Sequence, residues 1–208
     1  SAYAGDHPEW LGFLNLLKKS RTQAPVNGLI VMVSITELAS QSPEQSIKLA
    51  KNLRTRIQDI TERLEIFAPV YVVFSKMDLI AGFTDFFECY DVDELNQVWG
   101  ATLKYEPDSV QDIMALFEQH YAVLYEGLKG LSNTHLSRRH SQNISPSVIT
   151  FPLEFKNLKP VLKTFIATLF EDNPYQFKPV FRGFYFTSAL QQGITESPMT
   201  EQMVQDFH

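Results

Sequence analysis

Two stretches of the chain are apolar without interruption, and the remaining pattern arranges itself around them. Leu29-Ile-Val-Met-Val-Ser-Ile35 and Val70-Tyr-Val-Val-Phe74 are short, rich in β-branched and aromatic residues, and free of apolar/polar alternation. Runs of that kind predict strands covered on both faces, as in the interior of a parallel sheet. Between them, Ile47, Ala50, Leu53, Ile57, Ile60 and Leu64 recur at spacings of three and four, with charge on the other faces, as in an amphipathic helix. Ser42-Pro-Glu-Gln45 supplies its start: Ser42 as N-cap, Pro43 in the first turn and Gln45 reaching back. Strand, crossover helix and strand make a βαβ unit, for which a right-handed crossing is expected.

Outside that unit the pattern is more mixed. Residues 1–7 are small and polar and read as a cut end, and residues 8–19 predict a helix. Pro8 and Glu9 suit the start of that helix, Lys18 and Lys19 its end, and Trp10, Leu14 and Leu17 form its stripe. Residues 79–87 read as a short apolar loop or helix, and Asp91 to Glu94 as the start of another near Leu95 to Trp99. A long helix then opens at Pro107, with Val110, Ile113, Met114, Phe117, Tyr121, Leu124, Leu128 and Leu131 on one face. Residues 132–147, with Arg138-Arg139-His140, predict an exposed loop, and residues 148–155 a return to the sheet. Leu158, Val161, Leu162, Phe165, Ile166, Leu169 and Phe170 give a further amphipathic helix, residues 181–188 a last strand, and the tail beyond Thr195 a polar, mobile end. The chain thus divides into a βαβ core at 1–90, a helical insertion or subdomain at 91–146, and a return to the sheet with helix and last strand at 147–208.

Composition narrows the classes. A net charge of −6 and a pI near 5.4 argue against nucleic-acid binding, which calls for a basic face. The single cysteine, Cys89, forms no internal disulfide and fits a reducing compartment. It lies between Glu88 and Tyr90, without a neighbouring cation to activate it. No apolar run approaches the ~20 residues that span a bilayer, so the piece reads as soluble. The histidines show no metal-ligand spacing, and no catalytic or metal-binding set emerges. Glu88, Asp91, Asp93 and Glu94 read as charge at a helix start, and Phe83, Phe86 and Phe87 as core.

One constellation stands where ligands bind in open α/β sheets, beyond the carboxyl end of a buried strand. Ser75-Lys76-Met77-Asp78 follows the second apolar run directly and resembles the Asn/Thr-Lys-x-Asp loop by which P-loop GTPases read their base. An aspartate there can accept two hydrogen bonds from a guanine edge while a lysine stem lies over the ring. The competing assignment is a turn in which Asp78 caps the next helix and Lys76 points to water. No G-x-x-x-x-G-K-[ST] and no Asp-x-x-Gly occur, so the phosphate cradle and magnesium ligands that drive phosphoryl transfer are missing from these residues. Hydrolysis by this piece alone is therefore not expected.

The order of several strings resembles the cytoplasmic region of the IcmF/TssM family. They are Trp10-Leu-Gly-Phe-Leu-Asn-Leu-Leu-Lys-Lys-Ser-Arg21, Pro25-Val-Asn-Gly-Leu-Ile-Val31, Pro69 through Leu79, Gly82-Phe83 with Phe86-Phe87, Gln97-Val-Trp-Gly100, Phe151-Pro-Leu-Glu-Phe155, and Arg182 through Ala189. The resemblance implies a large inner-membrane protein of the type VI (or type IVB) secretion apparatus. It implies a parallel-sheet, P-loop GTPase-like α/β fold, incomplete here because the phosphate-binding part lies upstream, with a helical insertion. It also implies assembly with other membrane and baseplate proteins at the cytoplasmic face of the bacterial inner membrane. Of the family's nucleotide motifs, only the base-reading loop carries over, onto Ser75, Lys76 and Asp78, with Ser75 where threonine or asparagine is preferred. Phe151-Pro152 falls where a second base-contacting loop is expected but lacks the usual Ser-Ala; Thr187-Ser188-Ala189 is the alternative. No cofactor is expected in this piece, and GTP or ATP in the parent. Three functions follow: a non-catalytic docking and assembly module, part of a nucleotide switch, or a partner-binding helical subdomain within Asp91 to Asn143.

Overall fold

The two apolar runs pair with each other in parallel at the heart of one sheet. The computed structural model describes residues 7–21, 26–87, 98–104, 112–138 and 146–188. Its strands are β1 (Leu29–Ser34), β2 (Pro69–Ser75), β3 (Trp99–Thr102) and β4 (Val180–Phe186), in the order β1-β2-β4-β3. β2 runs parallel to both neighbours, and β3 lies antiparallel on β4. The fold is therefore α/β, with a mostly parallel four-stranded sheet. β3 stands where a short helix was expected to end, and its pairing depends on close backbone approach. A Cβ on Gly183 would meet the Ala101 carbonyl oxygen at 2.6 Å, and one on Gly100 the Phe184 carbonyl oxygen at 2.4 Å.

The described helices are α1 (His7–Ser20), α2 (Ile35–Ser40), α3 (Pro43–Leu64), α4 (Phe83–Phe87), α5 (Ile113–Arg138) and α6 (Ser147–Leu169). The α3 capping box forms as its sequence predicts. The Ser42 N–H donates to Gln45 Oε1 at 3.0 Å, and the Gln45 N–H to Ser42 Oγ at 3.4 Å. In α1, Leu14 is buried, while Trp10 and Leu17 are half-covered. The Trp10 indole donates to Asp59 on α3, and Arg56 lies over its ring. α2 has no counterpart in the sequence reading: Ile35, taken as strand, begins a six-residue helix capped by Ser34.

Expected coverage of both sheet faces is corrected. Val31, Val33, Val70, Val72, Phe74, Phe181, Phe184 and Phe186 are buried on one side, beneath a layer in which α6 packs between α3 and α5. On the other side Ile30 and Met32 are 69% and 64% exposed, and Tyr71, Val73 and Tyr185 are half-buried. β1 is an edge strand among the described residues rather than an interior one. A continuous apolar run states that both faces are apolar, and coverage is a separate matter settled by what lies over them.

Residues 148–155 are helix, not strand: they form the opening turns of α6. Val148, Phe151, Phe155, Leu158 and Leu162 continue one helical stripe into the core, and this spacing outweighs the aromatic and β-branched content that suggested a strand. Pro152 has no N–H to offer the Val148 carbonyl one turn back. Ser132 fills that role from α5, donating its hydroxyl to Val148 O at 2.8 Å. This also corrects the exposed loop expected from residue 132, because α5 continues to Arg138 with Ser132 buried. α5 shares the sheet's core through Phe117, Tyr121 and Leu128, and the buried Tyr121 hydroxyl donates to the Phe155 carbonyl. At its far end α6 is held by Arg54, which donates to Leu169 O at 3.2 Å.

Phe86 is fully buried; with Phe83, Phe87, Trp99 and Phe151 it forms an aromatic cluster, as the core assignment required. The helix start at Asp91 to Glu94, Cys89, the opening of the long helix at Pro107 and the polar tail lie outside the described residues. Among the described residues, no helix is long and apolar enough to cross a membrane.

Candidate functional site

The carboxyl ends of β1, β2 and β4 form a common rim, and the residues singled out in the sequence meet there. Ser75 closes β2 and donates its hydroxyl to Val33 O at 3.3 Å, which ties the rim to β1. Lys76 follows with φ 64° and ψ 37°, a left-handed conformation that costs a side-chain-bearing residue roughly 1–2 kcal/mol. That reversal turns the chain out of the strand and into a 3₁₀ turn, Met77–Leu79. Met77 is fully buried and anchors the turn to the core.

The turn is bonded to the second candidate loop. The Met77 N–H donates to Thr187 O at 3.2 Å, and the Thr187 N–H donates to Phe74 O at 2.9 Å. Thr187 and Ser188 are exposed beside the turn. Phe151 and Pro152, the other candidate for a second loop, are buried within α6 and belong to no rim loop. Ala189 lies outside the described residues.

Asp78 distinguishes the two assignments made for this turn. The turn closes through backbone bonds, Leu79 N–H to Lys76 O at 3.1 Å and Ile80 N–H to Met77 O at 3.0 Å. Both Asp78 carboxylate oxygens are buried, and neither has a hydrogen-bond partner among the described residues. Asp78 therefore does not cap the turn or α4. A carboxylate left without donors away from water is costly.

The sequence reading missed Ser34 and Thr36, which extend the rim of hydroxyls onto β1. Their hydroxyls are 3.0 Å apart, and Ser34 Oγ accepts the Glu37 N–H of α2 at 3.4 Å. The available signal was the same as at Ser75: a serine that ends an apolar run. Chemically, the described rim offers the hydroxyls of Ser34, Thr36, Ser75, Thr187 and Ser188, the Lys76 ammonium and the acceptor-only Asp78 carboxylate. Among the described residues, no cluster of three or more His, Cys, Asp or Glu could hold a metal ion.

Comparison with known proteins agrees with these strings along most of the chain. The model of the IcmF-related N-terminal domain matches residues 3–208. The type VI secretion system component TssM1 of Pseudomonas aeruginosa is 32% identical over 204 residues, covering 98% of this chain and 18% of the relative. The chain thus spans under a fifth of that relative's length. No solved structure matches.

Proposed function

The chain belongs to the IcmF/TssM family, and from that premise we propose that it is part of a type VI secretion component that works by docking and assembly. The observation that carries this reading is the 32% identity extending over 98% of the chain to a type VI secretion component. The partners are other membrane and baseplate proteins of the apparatus, met at the cytoplasmic face of the bacterial inner membrane. Catalysis is not assigned to these residues, whose sequence contains neither a phosphate-binding loop nor a switch aspartate motif. Co-purification of the parent protein with its secretion partners tests the proposal. Asp78→Ala is expected to leave capture intact; loss of all partners from a variant that remains folded would overturn it.

A second reading has one specific observation in its favour: the Asp78 carboxylate in the turn after β2, whose two oxygens have no partner among the described residues. In this reading the sheet is the latter part of a GTPase-like domain. In that case the sheet would extend at β1, an edge strand among the described residues. Asp78 accepts from the base edge, Lys76 lies over the ring, Ser75 holds the loop, and Thr187 and Ser188 close the second side. GTP or ATP would be bound by the parent, with phosphate contacts supplied from upstream. Titration of fluorescent guanine and adenine nucleotides into the parent protein decides this. Saturable binding weakened at least tenfold by Asp78→Ala is the expected result, and absence of saturable binding refutes it.

A further inference from the structure

Charge is unevenly placed on α6. Its one carboxylate, Glu154, is buried, while Lys156 is exposed and Lys159 and Lys163 are half-buried. Ile149 and Leu153 are 51% and 42% exposed, and with Lys156 and Pro160 they recur at spacings of three and four, along one helical face. Lys129 joins them from α5. Its ammonium lies 5.4 Å from the centre of the Tyr125 ring, and that of Lys156 lies 6.0 Å from the same centre. Two cations thus converge on one ring in a chain whose net charge is −6. We propose that this face of α5 and α6 docks onto an anionic lipid bilayer, with Lys129, Lys156 and Lys159 on headgroup phosphates and Ile149 and Leu153 in the interfacial layer. The inference is independent of either functional reading.

The carboxylates around the face are already engaged. Glu126 pairs with Lys129 at 2.9 Å and Glu118 with Lys163 at 2.6 Å. Asp112 accepts the Met114 and Ala115 N–H groups at the start of α5. Lys156 and Lys159 form no ion pair among the described residues, and Lys159 acts on Glu118 only through space. Composition favours a bilayer over an acidic protein. Protein interfaces are enriched in arginine and depleted in lysine, and the cations of this face are lysines. Long lysine stems carry the ammonium up to a phosphate while aliphatic neighbours enter the layer beneath. An anionic surface attracts each such lysine, so several on one face add up. A phosphate between Lys129 and Lys156 also relieves the repulsion of two ammoniums held at one ring.

Sedimentation of the 208-residue chain with vesicles of phosphatidylglycerol and phosphatidylcholine, against vesicles of phosphatidylcholine alone, is the test. Partition about tenfold higher onto the anionic vesicles is expected, weakening as salt is raised. K156E with K159E is expected to lower it about tenfold, and L153S several-fold, in chains whose thermal melts show them folded. K19E with R63E makes the same change of net charge on exposed positions of α1 and the end of α3, and is expected to leave partition unchanged. No partition by the folded native chain overturns the proposal. An equal loss with K19E and R63E also overturns it, since net charge alone then explains binding. Partition unaffected by L153S, with polyglutamate bound as strongly as the vesicles, assigns the face to an acidic protein segment instead and overturns it too.

Discussion

A buried carboxylate whose two oxygens lack donors is a local defect unless something completes it, and among the described residues Asp78 is in that condition at the rim. Replacement by the isosteric, uncharged asparagine removes the cost of the buried charge. Asp78→Asn is therefore expected to raise stability by about 1 kcal/mol, read as a higher urea midpoint at unchanged slope. A carboxylate that held the turn together would show the opposite sign. Sequence marked the position and chemistry of Ser75, Lys76 and Asp78, because an abrupt change from apolar to polar at a strand end is visible in one dimension. The left-handed backbone at Lys76 was not visible, since lysine carries none of the local signal that glycine or asparagine would. Nor was the bonding of Thr187 to the turn, which depends on β2 and β4 being neighbours although more than a hundred residues separate them.

Among the elements, α6 departs furthest from its sequence reading, and its two internal prolines explain part of the difficulty. Pro152 would ordinarily argue against a helix at that point; a serine on another helix supplies the donor that it lacks. Ser132→Ala should cost about 1–3 kcal/mol by leaving the Val148 carbonyl unpaired. The same change should cost distinctly less beside Pro152→Ala, where the helix bond is restored; a double-mutant cycle by urea unfolding measures the difference. The α5–α6 contact also has a pH dependence. Lys163 hydrogen-bonds Glu118 at 2.6 Å, and this bond first, with the ammonium charge second, holds the Glu118 carboxyl below the usual range. A carboxyl lowered in the folded state stabilises above its unfolded pKa and loses that contribution as pH falls through the folded one. The stability gap between the native chain and Glu118→Gln should therefore be present at pH 7 and fade in acid, which thermal melts across pH would follow.

For the molecule as a whole, the βαβ core was legible because its strands and crossover helix are local, uninterrupted patterns with explicit caps. The sidedness of the sheet was not, because an apolar run carries no information on what covers it. β3 escaped notice because a four-residue strand with Gly100 inside it has too little pattern to stand out, and its place is set by Gly183 on a distant strand. β2, bonded on both edges and buried beneath α6, should hold the slowest-exchanging amides, and β3 and α1 the faster ones, by native-state hydrogen exchange. Retention of β1 amides longer than those of β2 would contradict the strand order.

The chain's two tryptophans fall in unlike settings. Trp99 is ringed by Phe151, Phe155 and Phe186, while Trp10 rides on α1 between Asp59 and Arg56. Intrinsic emission therefore carries two signals of different colour, one from the interior and one from the seam where α1 meets α3. A chain retaining Trp99 alone and another retaining Trp10 alone would time the peeling of that first helix separately from collapse of the centre, with no added dye.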